Sequence, residues 1–165
     1  MIDFTDMSID EKKMVLDWRN HPRISKWMYS LDEISLKNHF NFIENLINEK
    51  YSQYILVKKD KQYIGVVYFI NISYDKKECE FGLYANPFQK IAGVGRILEK
   101  ICIEYIFNIL KLSKLKLEVF KDNIQVINLH KKYKFLEVST KYVNYKDIIC
   151  MELEKESSMH IGYNK

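Results

Sequence analysis

The segment Lys90-Ile91-Ala92-Gly93-Val94-Gly95, followed by Arg96, has the composition of a phosphate-binding turn. It lies between a stretch rich in aromatic and apolar residues and a stretch with helical apolar spacing. A turn there points several backbone N–H groups outward, and the start of a helix adds partial positive charge. Glycine lets an anion approach that backbone closely. Two standard phosphate ligands fail the spacing. A P-loop requires G-x-x-x-x-G-K-[ST], and neither its spacing nor its Lys-Ser/Thr pair is present. A dinucleotide fingerprint needs a third glycine where Leu98 stands, and the upstream strands read as hairpins, not as the start of a βαβ unit. Of the 26 basic residues the arginines are Arg19, Arg23 and Arg96, and arginine is the side chain suited to bidentate phosphate recognition. Cys79, Cys102 and Cys150 are odd in number and show no C-x-x-C spacing, so neither a disulfide framework nor a zinc site is indicated and no metal is expected.

The elements that must position these residues follow from periodicity. Asp10 to Asn20 reads as a helix with Met14, Val15 and Trp18 on one face, closed by His21-Pro22. Ser35 to Asn48 reads as a second, with Leu36, Phe40, Ile43 and Ile47 as its buried stripe. Tyr51 to Lys58, Gln62 to Ile72 and Glu78 to Ala85 read as three antiparallel strands, the first two joined at Lys59-Asp60-Lys61. A helix then carries Leu98, Ile101, Cys102, Tyr105, Ile106 and Ile109 at helical spacing. Leu115, Leu117 and Val119 alternate with Lys114, Lys116 and Glu118 in a half-buried strand. Asn123 to Tyr133 returns to helix, and strands around Leu136 to Val143 and Asp147 to Leu153 close the chain. A short strand at Ile2 to Phe4 would precede them all, giving a mixed α/β (α+β) fold.

With 165 residues, 47% apolar and 29% charged, the chain fits one globular domain, expected over 1–155, with a disordered tail at 156–165. The net charge of +4 is almost wholly lysine and does not separate anionic small molecules from nucleic acid. The first residues lack the order of a signal peptide, and the longest apolar stretch, Ile64 to Ile70, is far too short for a bilayer. A cytoplasmic protein with neither a membrane nor a nucleic-acid partner is expected. A homodimer stays open, since oligomeric state is not written in this sequence.

The glycine segment resembles the acetyl-CoA signature of the GNAT superfamily, [Q/R]-x-x-G-x-[G/A], with Lys90 in the Gln/Arg place. The second signature of that superfamily, N-x-x-A-x-x-[L/F]-Y-x-x-x-G-F, is matched in register by Asn123, Leu129 and Phe135. Lys134 stands for its glycine and His130 for its tyrosine. The resemblance implies a mixed, mostly antiparallel sheet flanked by helices, with the fourth and fifth strands splayed around CoA. It implies that Leu83, Tyr84 and Ala85 line the pantetheine arm. Lys90, Ile91, Ala92, Gly93, Val94, Gly95 and Arg96 would hold the pyrophosphate, with Asn123 contributing to the same cofactor site. In that family the tyrosine protonates the leaving thiolate. His130 takes its place, and an imidazole near neutrality can donate to sulfur as a phenol can. The alternative is a histidine that only packs against cofactor or core; Tyr133, one turn on, is the next candidate. Glu78, Glu80, Gly82 and Tyr84 share one strand face. Glu80 is thus the candidate base for the amine, against a surface ion pair as its plainer fate, and Tyr84 is a candidate contact to the acceptor. Cys79 and Cys102 lie inside elements, which argues against an acetyl-cysteine and for direct attack.

The first half carries the acceptor. Trp18-Arg19-Asn20-His21-Pro22 and Trp27-Met28-Tyr29-Ser30 resemble certain GNAT subgroups. Among them are the ribosomal-protein acetyltransferases and the sugar-nucleotide acetyltransferases of pseudaminic acid synthesis. The latter share also Ser35 to His39, Phe42 to Glu44 and Gly82 to Phe88. That resemblance implies acetylation of the C4 amine of UDP-4-amino-4,6-dideoxy-N-acetyl-β-L-altrosamine, a UDP-amino-sugar. Arg19 and His39 would suit its pyrophosphate, against a loop-fixing ion pair for Arg19 and a histidine packed at a helix edge for His39, and Trp27 its uracil or deoxysugar methyl. The rivals are a ribosomal-protein or N-terminal amine acetyltransferase, an aminoglycoside or polyamine acetyltransferase, and a non-catalytic acetyl-CoA-binding module.

Overall fold

Ser8 opens the first long helix, α1 (Ile9–Asn20), through a reciprocal cap in which Ser8 Oγ accepts the Glu11 N–H and the Glu11 carboxylate accepts the Ser8 N–H. A short strand β1 (Ile2–Asp3) and a 3₁₀ turn at Phe4–Asp6 precede it. Pro22 starts a one-turn helix α2 (Pro22–Ser25), which the sequence reading had left as a helix stop. Ser35 caps α3 (Leu36–Leu46). The strands β2 (Gln53–Lys59) and β3 (Gln62–Ser73) turn at Asp60 and Lys61, both at positive φ, as a two-residue hairpin matched to strand twist requires. Then come β4 (Glu78–Ala85), α4 (Val94–Glu104), β5 (Lys114–Phe120), α5 (Ile124–Lys132), β6 (Leu136–Val143) and β7 (Lys146–Glu154). A helical turn α6 (Lys155–Ser158) ends the residues described by this computed structural model, 1–158. The expected tail 156–165 thus begins inside that turn, and its remainder lies outside the described residues.

The strands form one sheet in the order β1-β2-β3-β4-β5-β7-β6, antiparallel except for the β4–β5 pair. Alternation along β2 and β3 sends Ile55, Val57 and Val67 to one face and Leu56 and Val66 to the other. The first face packs Leu98, Cys102 and Ile106 of the central helix and Ile127 of α5. The second packs Val15 and Trp18 of α1 and Ile43 of α3. Among the described residues no helix is long and apolar enough to cross a membrane.

Two helix faces depart from the expected stripes. In α3 the buried residues are His39 and Ile43, while Leu36 and Ile47 are 49% and 67% exposed. After α4 the chain widens into a π-helical turn at Tyr105–Ile109, with Leu110 N–H bonded to Tyr105 C=O. The extra residue in that turn buries Ile106 and Phe107 and leaves Ile109 63% exposed.

Gly65 of β3 lets α4 lie on the sheet. A β-carbon there would stand 2.5 Å from the carbonyl oxygen of Tyr84 and 2.7 Å from Leu98 Cδ1. Because the first of these is backbone, Gly65→Ala should cost about 1–3 kcal/mol of unfolding free energy by overpacking. Denaturant titration measures this; an unchanged midpoint would show that the helix can shift without loss.

Candidate active site

The β4–β5 ladder holds for three pairs only, Glu78–Lys114, Cys79–Leu115 and Glu80–Lys116. Beyond Glu80 the strands part: β4 continues against β3 to Ala85, and β5 continues against β7 to Phe120. A ring cluster occupies the helix-side wedge, with Phe81, His130 and Phe135 at centroid distances of 5.5–5.9 Å. The gap opens into a cleft of about 760 Å³. Its walls are Gly82 to Ala85, Leu117 to Phe120, the start of α4 from Gly93 to Arg96, and Asn123, Val126, Leu129 and His130 of α5. Arg23, Trp27 and Tyr29 close it from the first half of the chain.

Each wall has a local cause. Gly93 sits at φ 70°, ψ 14°, a left-handed conformation at the N-terminus of α4, with no side-chain cap on the helix. The first turn therefore keeps backbone donors for a ligand. Gly95 has a different reason to be glycine: a β-carbon would lie 3.1 Å from Leu129 Cδ2, so it lets α4 and α5 approach. Tyr133 donates its hydroxyl to the Arg96 carbonyl at 3.0 Å, which ties α5 to the same turn and commits that phenol. Asn123 is at the N-cap of α5 yet its side chain makes no capping bond, so its amide faces the cleft uncommitted to the helix. At the end of β4, buried Asn86 donates to Tyr63 C=O and accepts from Phe88 N–H, and Arg23 Nη1 donates to Pro87 C=O.

On the other face, Tyr68 lies over Gly82, where a β-carbon would meet its hydroxyl at 2.1 Å. Tyr54 stacks on Tyr68 at 5.1 Å. Burial pushes the Tyr68 phenol up to about 12 and raises that of Tyr84 further. The Arg19 guanidinium works against that rise in Tyr54, Tyr68 and Tyr84. Arg19 thus sits behind these phenols with Nη1 buried and unbonded, rather than on the cleft wall. The far wall is aromatic, with Trp27 and Tyr29 at 6.4 and 5.8 Å from Phe120.

The matching family model is that of the acetyltransferase (GNAT) domain, over residues 4–136. The chain belongs to the GNAT acetyltransferase family. The acetyltransferase PseH of Campylobacter jejuni is 40% identical over 151 residues, covering 90% of each chain. The crystal structure of C. jejuni N-acetyltransferase PseH in complex with acetyl coenzyme A superposes with a TM-score of 0.75 at 33% identity, over 93% of this chain and 96% of that one. A spermidine N-acetyltransferase from Vibrio cholerae, in complex with CoA and spermine, has a TM-score of 0.85 at 20% identity over 93% and 95% of the two chains, a likeness of fold alone. As a GNAT protein the chain is an acetyl-CoA-dependent N-acetyltransferase. The unpaired edge of β4 and the donor-rich start of α4 fit that donor's extended arm and phosphates.

Among the residues expected at the site, the structure brings Trp27, Leu83, Tyr84, Ala85, Ile91, Gly93, Val94, Gly95, Arg96, Asn123 and His130 to this GNAT cleft. Lys90 and Ala92 are exposed on the same turn, outside the wall. Glu80 is not on the cleft wall but lies just before the parting, where Oε1 accepts from Asn71 Nδ2 at 3.0 Å and its charge acts on Tyr29 and Lys141. His39 is buried between α1 and α3, with Nε2 2.9 Å from the Lys12 carbonyl, and burial lowers its pKa. A carbonyl only accepts, so Nε2 carries the proton and His39 is spent on helix packing. Glu118, which the sequence pattern does not single out, is the carboxylate on the wall; it accepts from Tyr29 Oη and pairs with Lys141. Nor does the pattern single out Glu99, buried on α4 with Oε1 2.7 Å from His130 Nδ1. The cysteines expected to be inert are so placed: burial pushes Cys79 to about 12 and raises Cys102 strongly.

The Tyr68 phenol gives a pH signature. Its value rises from 10.0 in the unfolded chain to about 12 in the fold, so its contribution is intact below pH 10 and is lost as pH climbs to 12. Stability should fall in that window by on the order of 2 kcal/mol from this group. Tyr68→Phe should flatten that part of the curve in denaturation run across the window; an identical slope would contradict the assignment.

Proposed function

We propose that this acetyltransferase transfers acetyl from acetyl-CoA to the C4 amine of UDP-4-amino-4,6-dideoxy-N-acetyl-β-L-altrosamine, on the route to pseudaminic acid. The supporting observation is where the likeness to the sugar-nucleotide subgroup falls. Its runs Trp27 to Ser30 and Gly82 to Phe88 supply the aromatic closure and the strand wall of the cleft. The 40% identity to PseH over nine-tenths of both chains points the same way.

The charge of the cleft favours an anionic acceptor. Among the described residues the charged side chains lining its acceptor side are Arg23 and Lys26 against Glu118, with Arg96 and Lys132 on the cofactor side. A polyamine would meet a surplus of like charge there, whereas a nucleotide diphosphate would be drawn in. Trp27 and Phe120 offer faces for uracil or the sugar methyl.

Acetyl-CoA supplies the acetyl group as a thioester, and the products are an amide and a thiol. Leu83 and Ala85 offer backbone partners for the pantetheine arm. The turn from Lys90 through Gly93 and Gly95 to Arg96, with Asn123 beside it, holds the pyrophosphate. Glu118, on the cleft wall, accepts the proton that the amine gives up, in place of Glu80, whose carboxylate already accepts from Asn71. His130 gives a proton from Nε2 to the leaving sulfur. Tyr84 stays protonated through the working range and acts as a fixed donor, since burial holds its phenol far from neutrality.

Incubation with acetyl-CoA and a panel of amino-sugar nucleotides and spermidine, followed by mass spectrometry, tests the acceptor. An acetyl mass gain is expected on the 4-amino UDP-sugar; gain on spermidine alone would overturn the reading. With that acceptor, His130→Ala and Glu118→Gln should each lower kcat by roughly 100-fold, the usual worth of a positioned acid or base. Full turnover of either variant removes that residue from its role.

A further inference from the structure

We propose that Glu99 is the positioning residue of the acid: a buried carboxylate that orients the His130 ring and balances its charge, so that Nε2 carries the proton delivered to sulfur. This rests on the reading of His130 as the acid.

Glu99 lies one turn beyond Gly95 on the face of α4 that meets α5, and it is 0% exposed. His130 is 4% exposed. The Glu99 Oε1–His130 Nδ1 distance of 2.7 Å is that of a charge-assisted hydrogen bond. Glu99 Oε2 is buried with no partner. An ionised carboxylate so enclosed is costly unless a positive charge stands beside it, and an imidazolium supplies one. Among the described residues, the ion-pair partner of this buried carboxylate is the ring that borders the cleft.

The chemistry explains why an imidazole needs such a neighbour. A phenol has one oxygen and one proton, and its neutral form is the acid. An imidazole has two nitrogens, and in its neutral form one of them is only an acceptor. With Nδ1–H held by Glu99, a neutral ring would present a bare Nε2, unable to protonate sulfur. The doubly protonated ring presents Nε2–H, and Glu99 is the charge that makes this form tolerable in the interior. Phe81 and Phe135, edge-on to the ring at 5.9 and 5.5 Å, hinder its rotation. In one turnover the Nε2–H bond breaks and an S–H bond forms, while the amine proton passes to Glu118. Water then reprotonates Nε2 and takes the proton from Glu118, so the enzyme is restored.

A double-mutant cycle with Glu99→Gln and His130→Tyr tests this in the full chain. Glu99→Gln alone should lower kcat by at least ~10-fold, with the KM for acetyl-CoA changed less than twofold. In the His130→Tyr background, whose phenol needs no countercharge, Glu99→Gln should leave kcat unchanged or raise it. Thermal stability should reverse in the same way: Glu99→Gln lowers Tm beside His130 and raises Tm beside tyrosine, because it removes an unpaired buried charge. Equal effects in both backgrounds, on kcat and on Tm, would reduce Glu99 to packing and overturn the proposal. Full kcat in His130→Ala would instead remove the acid itself. If turnover cannot be followed, the Tm cycle and the ¹⁵N signals of the His130 ring decide the pairing. A ring proton at Nε2 that Glu99→Gln leaves in place would overturn it.

Discussion

The parting of β4 from β5 after Glu80 and Lys116 is the constraint on which the rest of the molecule depends. A parallel pair cut off after three residues forfeits ladder hydrogen bonds on both strands, and buried backbone groups left without partners are costly. The structure tolerates this only because the open edge faces a cleft, where water or an extended ligand can take the place of a strand. The parting also fixes the helices. The chain leaving β4 turns through Gly93 and begins α4 at one rim of the gap, and the chain leaving β5 begins α5 at the other. Helix starts with unspent donors therefore converge on the same opening.

Side chains that hold the wedge also set its chemistry. Phe81 and Phe135 prevent closure of the gap on the helix side and grip the His130 ring. On the opposite face Gly82 makes room for Tyr68, so the cleft floor is phenolic and kept neutral by burial. Arg19, behind three tyrosines, adds positive potential there without touching the cleft wall. Helix-side donors and the cations on its wall bias the pocket toward anionic ligands, with Glu118 the exception on that wall.

Local pattern made the strands, the α4 turn and the α5 register legible, because each is governed by short-range periodicity or by a glycine that backbone geometry demands. What failed to show was whatever depends on two distant elements at once. Lys114, Lys116 and Glu118 alternate as an outer strand face, and only the splay turns the last of them into a cleft wall. Glu99, between Leu98 and Lys100, reads as a solvated helix charge until α5 covers it. Type and spacing point to His39 and Glu80, but the Lys12 carbonyl of α1 holds the one and Asn71 bonds the other. The π-helical turn at Tyr105 gives no periodic warning, since its cause is the packing of Ile106 and Phe107.

The two halves of the cleft are therefore built from different materials, with different consequences for specificity. The donor half rests on backbone: a strand edge, a left-handed glycine and a helix start, features many sequences can supply. That agrees with a TM-score of 0.85 to a protein only 20% identical. The acceptor half rests on side chains, Arg23, Trp27, Tyr29, Glu118 and Phe120, brought from α2, its following loop and β5. A change at any of these alters shape and charge without disturbing the sheet. Likeness of fold therefore speaks to the backbone half alone, and the side-chain wall has to be read from these few residues. His130 lies on the seam between the halves, and its carboxylate partner lies on the donor side, inside α4. The ring is thus anchored to the scaffold helix and exposed to the side-chain wall, so a change in that wall need not disturb the ring's buried partner.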